Sequence, residues 1–266
     1  MEKQRKPVAV VTGATSGIGY ETALAFAKKG FAVVGAARRE DRLNALANTI
    51  EKSGGQCLPY PIDLAIPEKS GALIDATMEK FGRIDVLVNN AGFGKQIIFD
   101  QMSYEQIDRM IRLDVLALME LSRKAVPIMR AQKDGSIINI SSIAGFMPYP
   151  LNAVYCGAKF AVAGFSKALR LELMGTGVRV STVCPGATLT EFFENAMDEI
   201  PVPKIMMTTA VPASKVAKVI VDSSRKNKAM VYPAWSARLL AYVERFVPFA
   251  AATGNVIYRN SMVGKL

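Results

Sequence analysis

Apolar residues along this chain follow two alternating rhythms. Short β-branched runs at Val8 to Val11, Ala32 to Ala36, Cys57 to Tyr60, Val86 to Val88, Ser136 to Ile140, Val178 to Val183 and Ala229 to Tyr232 predict buried strands. Between them, helical spacing predicts helices over Gly17 to Lys29, Glu40 to Lys52, Pro67 to Phe81, Tyr104 to Gln132, Asn152 to Gly175 and Ala213 to Arg225. Such alternation calls for a parallel sheet covered on both faces, because every crossover must return the chain to the same end of the sheet. The expected fold class is α/β: a single doubly wound domain over residues 1–266, core about 7–232, with a central parallel sheet of about seven strands. From about Thr188 to Val211 the pattern turns irregular and predicts a flap. After the last strand, Trp235 to Val247 predicts an amphipathic helix within an extension spanning 235–266. Leu239, Leu240, Val243, Phe246 and Val247 fall on one arc of it, with Arg238 and Arg245 on the edge.

Composition narrows the chemistry. Half of the 266 residues are apolar, enough for a large core, and the net charge is +10. A basic chain suits nucleic acid, an anionic membrane surface or an anionic ligand. Here the charge is spread thinly, with no basic stripe interleaved with aromatics, so a nucleic-acid partner is not expected. Cys57, Cys156 and Cys184 are scattered and odd in number, which predicts neither a disulfide framework nor a metal site and fits a reducing cytoplasm. Histidine is absent, which removes Ser-His-Asp and Cys-His nucleophilic catalysis. Chemistry must then rest on Tyr, Lys, Ser, Asp or a cofactor. No signal peptide is expected after the charged Met1 to Lys6, and no apolar run is long enough to span a bilayer.

The first strand runs into Thr12-Gly13-Ala14-Thr15-Ser16-Gly17-Ile18-Gly19, and a helix follows at once. Glycines at a strand-to-helix turn let the backbone approach a pyrophosphate, whose charge then meets the helix N-terminus. NAD-binding proteins place an acid about 20 residues further on, to hold the ribose 2′-hydroxyl. Here that corner holds Ala37, Arg38 and Arg39. Guanidinium groups bind phosphate in a bidentate, charge-assisted way, so NADP(H) is favoured over NAD(H).

Tyr155 and Lys159 stand four residues apart, so a phenol and an ammonium share one helix face. A nearby cation favours phenolate, which is what a general acid/base requires. Ser142 lies thirteen residues before the tyrosine, at the end of an apolar run.

Taken in order, the glycine turn, Asn89-Asn90-Ala91-Gly92, Ser142, Tyr155-x-x-x-Lys159 and Pro185-Gly186 resemble the short-chain dehydrogenase/reductase family over roughly residues 7–232. The resemblance implies a Rossmann domain that transfers hydride between a nicotinamide and a carbonyl or alcohol. It implies Tyr155 as proton donor or base, Lys159 lowering the pKa of Tyr155 and binding the nicotinamide ribose, and Ser142 holding the substrate oxygen. Gly13, Thr15, Ser16, Gly17, Ile18 and Gly19 would line the pyrophosphate, with Arg38 and Arg39 at the 2′-phosphate and Asp63 and Leu64 near the adenine. Asn89, Asn90, Ala91 and Gly92 would close over a ribose, while Pro185, Gly186, Thr188 and Thr190 would contact the carboxamide. One position departs from the family, whose helix after Asn-Asn-Ala-Gly carries an asparagine that holds a water linking the lysine to solvent. Asp114 stands there. An ionised carboxylate accepts that hydrogen bond and cannot donate one, so Asp114→Asn is expected to keep or raise turnover.

Substrate choice in the family rests with the segment after Pro185-Gly186 and the C-terminus. Phe192, Phe193, Met197, Ile200, Ile205, Met206 and Met207, together with Phe93, Phe146, Met147, Tyr149 and Leu151, suit an apolar carbonyl or alcohol such as a steroid, fatty or aromatic ketone. The same side chains equally suit plain packing of the insertion. The terminal helix has three uses open to it: covering the pocket, meeting another subunit, or peripheral contact with an acidic membrane through Trp235, Phe246, Phe249 and Tyr258. The resemblance also implies a homo-oligomer, dimer or tetramer. A dinucleotide-binding regulator with weak catalysis is the alternative, and Asp114 is its only support.

Overall fold

Fully buried strands need helices on both sides, and the computed structural model of the protein has that arrangement. It describes residues 6–191 and 208–247, with Phe249, Ala252, Thr253, Val256 and Arg259 beyond them. In chain order come β1 (Val8–Thr12), α1 (Gly17–Lys28), β2 (Ala32–Ala37), α2 (Glu40–Lys52), β3 (Gln56–Pro61), α3 (Pro67–Phe81) and β4 (Val86–Asn89). Next are α4 (Tyr104–Ile111), a π-helical turn (Arg112–Leu116), α5 (Ala117–Gln132), β5 (Gly135–Ile140), α6 (Ala153–Glu172) and β6 (Val178–Val183). The chain continues through β7 (Thr188–Leu189), β8 (Val211–Pro212), α7 (Ala213–Ser224), β9 (Met230–Val231) and α8 (Trp235–Phe246).

Seven strands form one parallel sheet in the order β3-β2-β1-β4-β5-β6-β9, and β7 pairs with β8 in a separate two-stranded sheet. Alternate residues of β1 point to opposite faces. Ala9 and Val11 pack with Phe26 of α1 and Leu43, Leu46 and Ile50 of α2, while Val8 and Val10 pack with Leu73 and Ile74 of α3 and Leu121 and Met129 of α5. Every residue of β1, β2, β4 and β5 is buried, which explains their near-continuous apolar runs. The edge strand β3 carries Pro59 and Pro61, residues that a central strand would not accommodate.

The strand order reverses direction between β1 and β4, and the crevice at the carboxyl ends of strands flanking such a switch point is where α/β sheets bind ligands. One departure from the expected elements stands out. Tyr104 to Gln132 is not one α-helix, because the π turn at Arg112–Leu116 divides it. Residues 192–207, which include most of the expected flap, and Tyr258 lie outside the described residues.

Candidate active site

The glycine turn is held from the side by β4. Thr12 Oγ1 accepts the amides of Asn90 and Ala91, both at 2.9 Å, and Asn90 Nδ2 donates to the Thr12 carbonyl at 2.8 Å. Gly13 and Gly17 have φ of +68° and +53°, the left-handed region that favours glycine. Space is equally tight: a Cβ on Gly13 would come within 2.9 Å of Asn90 Nδ2, and one on Gly19 would run into the Gly13 carbonyl oxygen. Ser16 occupies the N-cap of α1 yet caps no amide, since its hydroxyl accepts from Arg39 at 3.0 Å. Among the described residues the first-turn amides of α1 therefore have no side-chain partner, as an incoming oxyanion requires.

From this turn a cleft of about 430 Å³ runs to Tyr155 and Lys159. It is lined by Gly13, Thr15, Ser16, Gly17 and Ile18, by Arg38 and Arg39, by Asp63 and Leu64, and by Asn90, Ala91 and Gly92. Ser142, Pro185, Gly186, Thr188 and Thr190 complete the sequence-predicted set on its wall. Gly19 and Asp114 lie behind the wall. Turn geometry, uncapped amides and arginines at one end together fit a dinucleotide. Some residues are already engaged. Asp63 Oδ1 accepts the Ala65 amide at 3.0 Å and Oδ2 meets Arg109 at 3.2 Å, so its carboxylate is tied on two sides. Arg38 is exposed, whereas Arg39 donates to Thr15 and Ser16.

At the other end, Ser142 follows β5 by two residues and caps a short turn, its Oγ accepting the Ala144 amide at 3.1 Å. The Ser142 hydroxyl also lies beside Tyr155 and favours its phenolate. Tyr155 and Lys159 project from the same face of α6, with Lys159 Nζ 5.4 Å from the centre of the Tyr155 ring. Below them a buried polar ladder fixes α5 and α6 against the sheet: Asn89 donates to Ser122 and Asn139, and Asn139 donates to Ser166.

Asp114 reaches Lys159 directly. Its Oδ2 stands 2.9 Å from Lys159 Nζ, with side-chain exposures of 6% for the lysine and 0% for the aspartate, and its Oδ1 accepts the Phe93 amide at 3.0 Å. Gly92 makes room, because a Cβ there would meet Asp114 Oδ2 at 2.7 Å. Burial pulls Lys159 down, but Asp114 and Tyr155 hold its ammonium above the ordinary lysine value. Burial also lifts Asp114 above the usual carboxylate range against the pull of Lys159.

Tyr155 departs from expectation for the same reason. Lys159 does favour its phenolate, yet burial and the Asp114 carboxylate outweigh the lysine and hold the phenol above its ordinary value. The sequence rule counted one cation and missed the burial of the phenol, and after it the anion behind the cation.

Of the apolar residues expected around the substrate, Phe93 and Tyr149 line the cleft. Phe146 packs edge-on against Tyr232 at 6.4 Å, and Met147 is buried. Gln96, Thr12, Arg42 and Glu191 were not singled out from the sequence. Gln96 lines the cleft, buried, with Oε1 unpartnered among the described residues. Arg42 and Glu191 form an ion pair at 2.6 Å, and they lie 149 residues apart, beyond any local pattern.

Residues 7–200 match the family model described as short chain dehydrogenase. A 3-oxoacyl-(acyl-carrier-protein) reductase from Synechocystis sp. is 39% identical over 189 residues, covering 71% of this chain and 76% of that protein. A metagenomic short-chain oxidoreductase solved in complex with NADP has a TM-score of 0.74 at 31% identity, covering 86% of this chain and 97% of its own. A short-chain dehydrogenase/reductase from Burkholderia phymatum in complex with NAD superposes with a TM-score of 0.82 at 23% identity, covering 92% and 95%, a likeness of fold alone. The chain belongs to the short-chain dehydrogenase/reductase family and is an NAD(P)-dependent oxidoreductase.

Proposed function

We propose that the protein reduces an apolar ketone, or oxidises the corresponding secondary alcohol, with NADP(H) preferred over NAD(H). The observation that carries this is the convergence of Ser142, Tyr155 and Lys159 at one end of a cleft whose other end presents the glycine turn and Arg38 and Arg39. When bound, the nicotinamide supplies or accepts the hydride. Gly13, Thr15, Ser16, Gly17 and Ile18 hold its pyrophosphate at the turn, and Gly19 packs behind them. Arg38 and Arg39 hold the 2′-phosphate. Asp63, Leu64, Asn90, Ala91 and Gly92 hold the adenosine and ribose, and Pro185, Gly186, Thr188 and Thr190 the carboxamide. Tyr155 donates its proton to the carbonyl oxygen in reduction and takes it back in oxidation, while Ser142 donates a hydrogen bond to the same oxygen as charge builds. Lys159 holds the ribose and favours the phenolate, while Asp114 holds the Lys159 ammonium and itself opposes the phenolate.

Phe93 and Tyr149 on the cleft wall support an apolar substrate, and the 3-oxoacyl reductase among the relatives supports a fatty-acyl one. The test is NADPH consumption over a panel of fatty-acyl, steroid and aromatic ketones. Turnover of at least one is expected, and turnover of none would favour a regulator that only binds the nucleotide. Three free thiols support a reducing, cytoplasmic setting. Outward-facing Trp235, Leu239, Tyr242 and Phe246 on α8, flanked by Arg238 and Arg245, support peripheral contact with an acidic membrane. Vesicles containing phosphatidylserine are then expected to pellet the full chain better than a Trp235→Ser, Phe246→Ser variant, and equal pelleting would remove the idea. Exposed Phe160 and Leu171 on α6, with Met174 just after it, support a homo-oligomer, and a monomeric mass by light scattering would count against it.

A further inference from the structure

Arg39 and Arg42 already hold an anion, and it belongs to the chain itself. Arg39 Nη1 stands 3.1 Å from Glu191 Oε2, and Arg42 Nη1 stands 2.6 Å from Glu191 Oε1, so one carboxylate lies in a fork of two guanidiniums. The other donors of Arg39 are spent on the glycine turn: Nη2 bonds Thr15 Oγ1 at 3.1 Å and Ser16 Oγ at 3.0 Å, and Nε bonds Thr15 Oγ1 at 3.3 Å. These contacts fix the guanidinium in place and leave Nη1 aimed at Glu191.

Glu191 reaches this corner because the preceding residue lies across the turn. A Cβ on Gly17 would meet Thr190 Cγ2 at 2.9 Å. The segment from Pro185 to Glu191 therefore crosses the cleft as a strap, from the Tyr155 end to the arginine end, and Gly186, Thr188, Thr190 and Glu191 all line it. Hydrogen bonds from Arg42 and Arg39 hold the Glu191 carboxyl below the ordinary glutamate range, so it stays ionised at neutral pH.

Carboxylate and phosphate make the same demand on arginine: paired, charge-assisted N–H donors. Resting on the nucleotide function proposed above, we infer that Glu191 is a specificity-determining residue for the nucleotide. Its carboxylate occupies Nη1 of Arg39, one of the two arginines proposed above for the 2′-phosphate, so a phosphate that engages Arg39 as well as the exposed Arg38 must displace it, and a nucleotide with a free 2′-hydroxyl need not. Selectivity for NADP(H) is thereby held below what the arginines alone would give. A bound 2′-phosphate also releases the Thr190–Glu191 strap from the arginine corner, which couples the adenosine end of the nucleotide to the segment beside Pro185 and Gly186.

The test is direct binding by isothermal titration calorimetry, independent of any substrate. The full chain and its Glu191→Gln variant are titrated with NADPH, NADH, adenosine 2′,5′-bisphosphate and 5′-AMP. Glu191→Gln is expected to tighten both 2′-phosphorylated ligands roughly two- to tenfold, the scale of two exposed ion pairs, and to move NADH and 5′-AMP by less than about twofold. The gain should vanish in an Arg39→Ala, Arg42→Ala background. Unchanged NADPH affinity in Glu191→Gln overturns the inference, and so does equal weakening of all four ligands, which would make Glu191 a clasp and not a competitor. Wild-type protein that binds none of the four would sink the nucleotide function and this inference together, whereas normal binding with no effect of Glu191 sinks the inference alone.

Discussion

Two carboxylates face cations at opposite ends of one cleft, and the shorter contact is the weaker. Arg42 and Glu191 approach to 2.6 Å with 43% and 44% of their side chains exposed, while Lys159 and Asp114 stand 2.9 Å apart with 6% and 0% exposed. Two unit charges about 4 Å apart interact by about 1 kcal/mol in water and about 4 kcal/mol at an effective dielectric of 20. Dielectric therefore decides, and distance does not. The exposed pair is screened, exchangeable and free to yield to a ligand. The buried pair is a fixed part of the fold that sets the protonation of its neighbours.

The largest expected effect asks whether the buried end is the reactive one. Tyr155→Phe removes the proposed proton donor while keeping the ring, so NADPH-dependent ketone reduction should fall about 10²- to 10⁴-fold with nucleotide affinity unchanged. Steady-state rates beside a titration check this, and retained turnover would move the chemistry elsewhere.

Matched deletions at the two ends come next. Lys159→Met leaves Asp114 buried without its cation and should cost about 3–5 kcal/mol in urea unfolding, whereas Arg42→Met should cost less than about 1 kcal/mol. The sign with pH follows from burial. An isolated Asp114 is raised further in the folded state, so the folded protein binds more protons than the unfolded one, and the Lys159→Met deficit should shrink as pH falls. Equal costs at both ends would erase the contrast.

Smallest and most specific is Asp114→Asn. Asp114 opposes ionisation of Tyr155 and Lys159 favours it, so removing the carboxylate lowers the pKa of the phenol. Alcohol oxidation needs the phenolate, hence its rising limb should move to lower pH. A limb that stays put, read from kcat against pH, would mean that the Asp114 charge does not reach Tyr155.

How much of this was legible in the sequence follows the range of the interactions. The central strands were readable because burial on both faces leaves continuous apolar runs, as in Val8–Thr12 and Ala32–Ala37. The Tyr155–Lys159 face was readable because four residues of helix bring them together. Asp114 stood out as an unusual residue, but its direct grip on Lys159, and its opposition to the lysine's effect on Tyr155, depend on α6 packing beside the π turn. Asp63 was expected at the adenine, and its bond to Arg109 of α4 is a tertiary contact. Glu191 left no signal, since its partner Arg39 lies 152 residues away.

The π turn at Arg112–Leu116 carries one further consequence. Each residue of an α-helix advances the side chains by about 100° around the axis, so a wider turn resets the phase of everything after it. The row of α5 that faces inward, Leu118, Leu121, Ala125 and Met129, is in step with the sheet only because of that offset from α4. Deleting a single residue between 112 and 116 would force a choice between aiming Asp114 at Lys159 and seating α5 on the sheet. Chain length at this turn, and not residue identity alone, is therefore under constraint, and insertions or deletions here should be tolerated far less than in the loops around it.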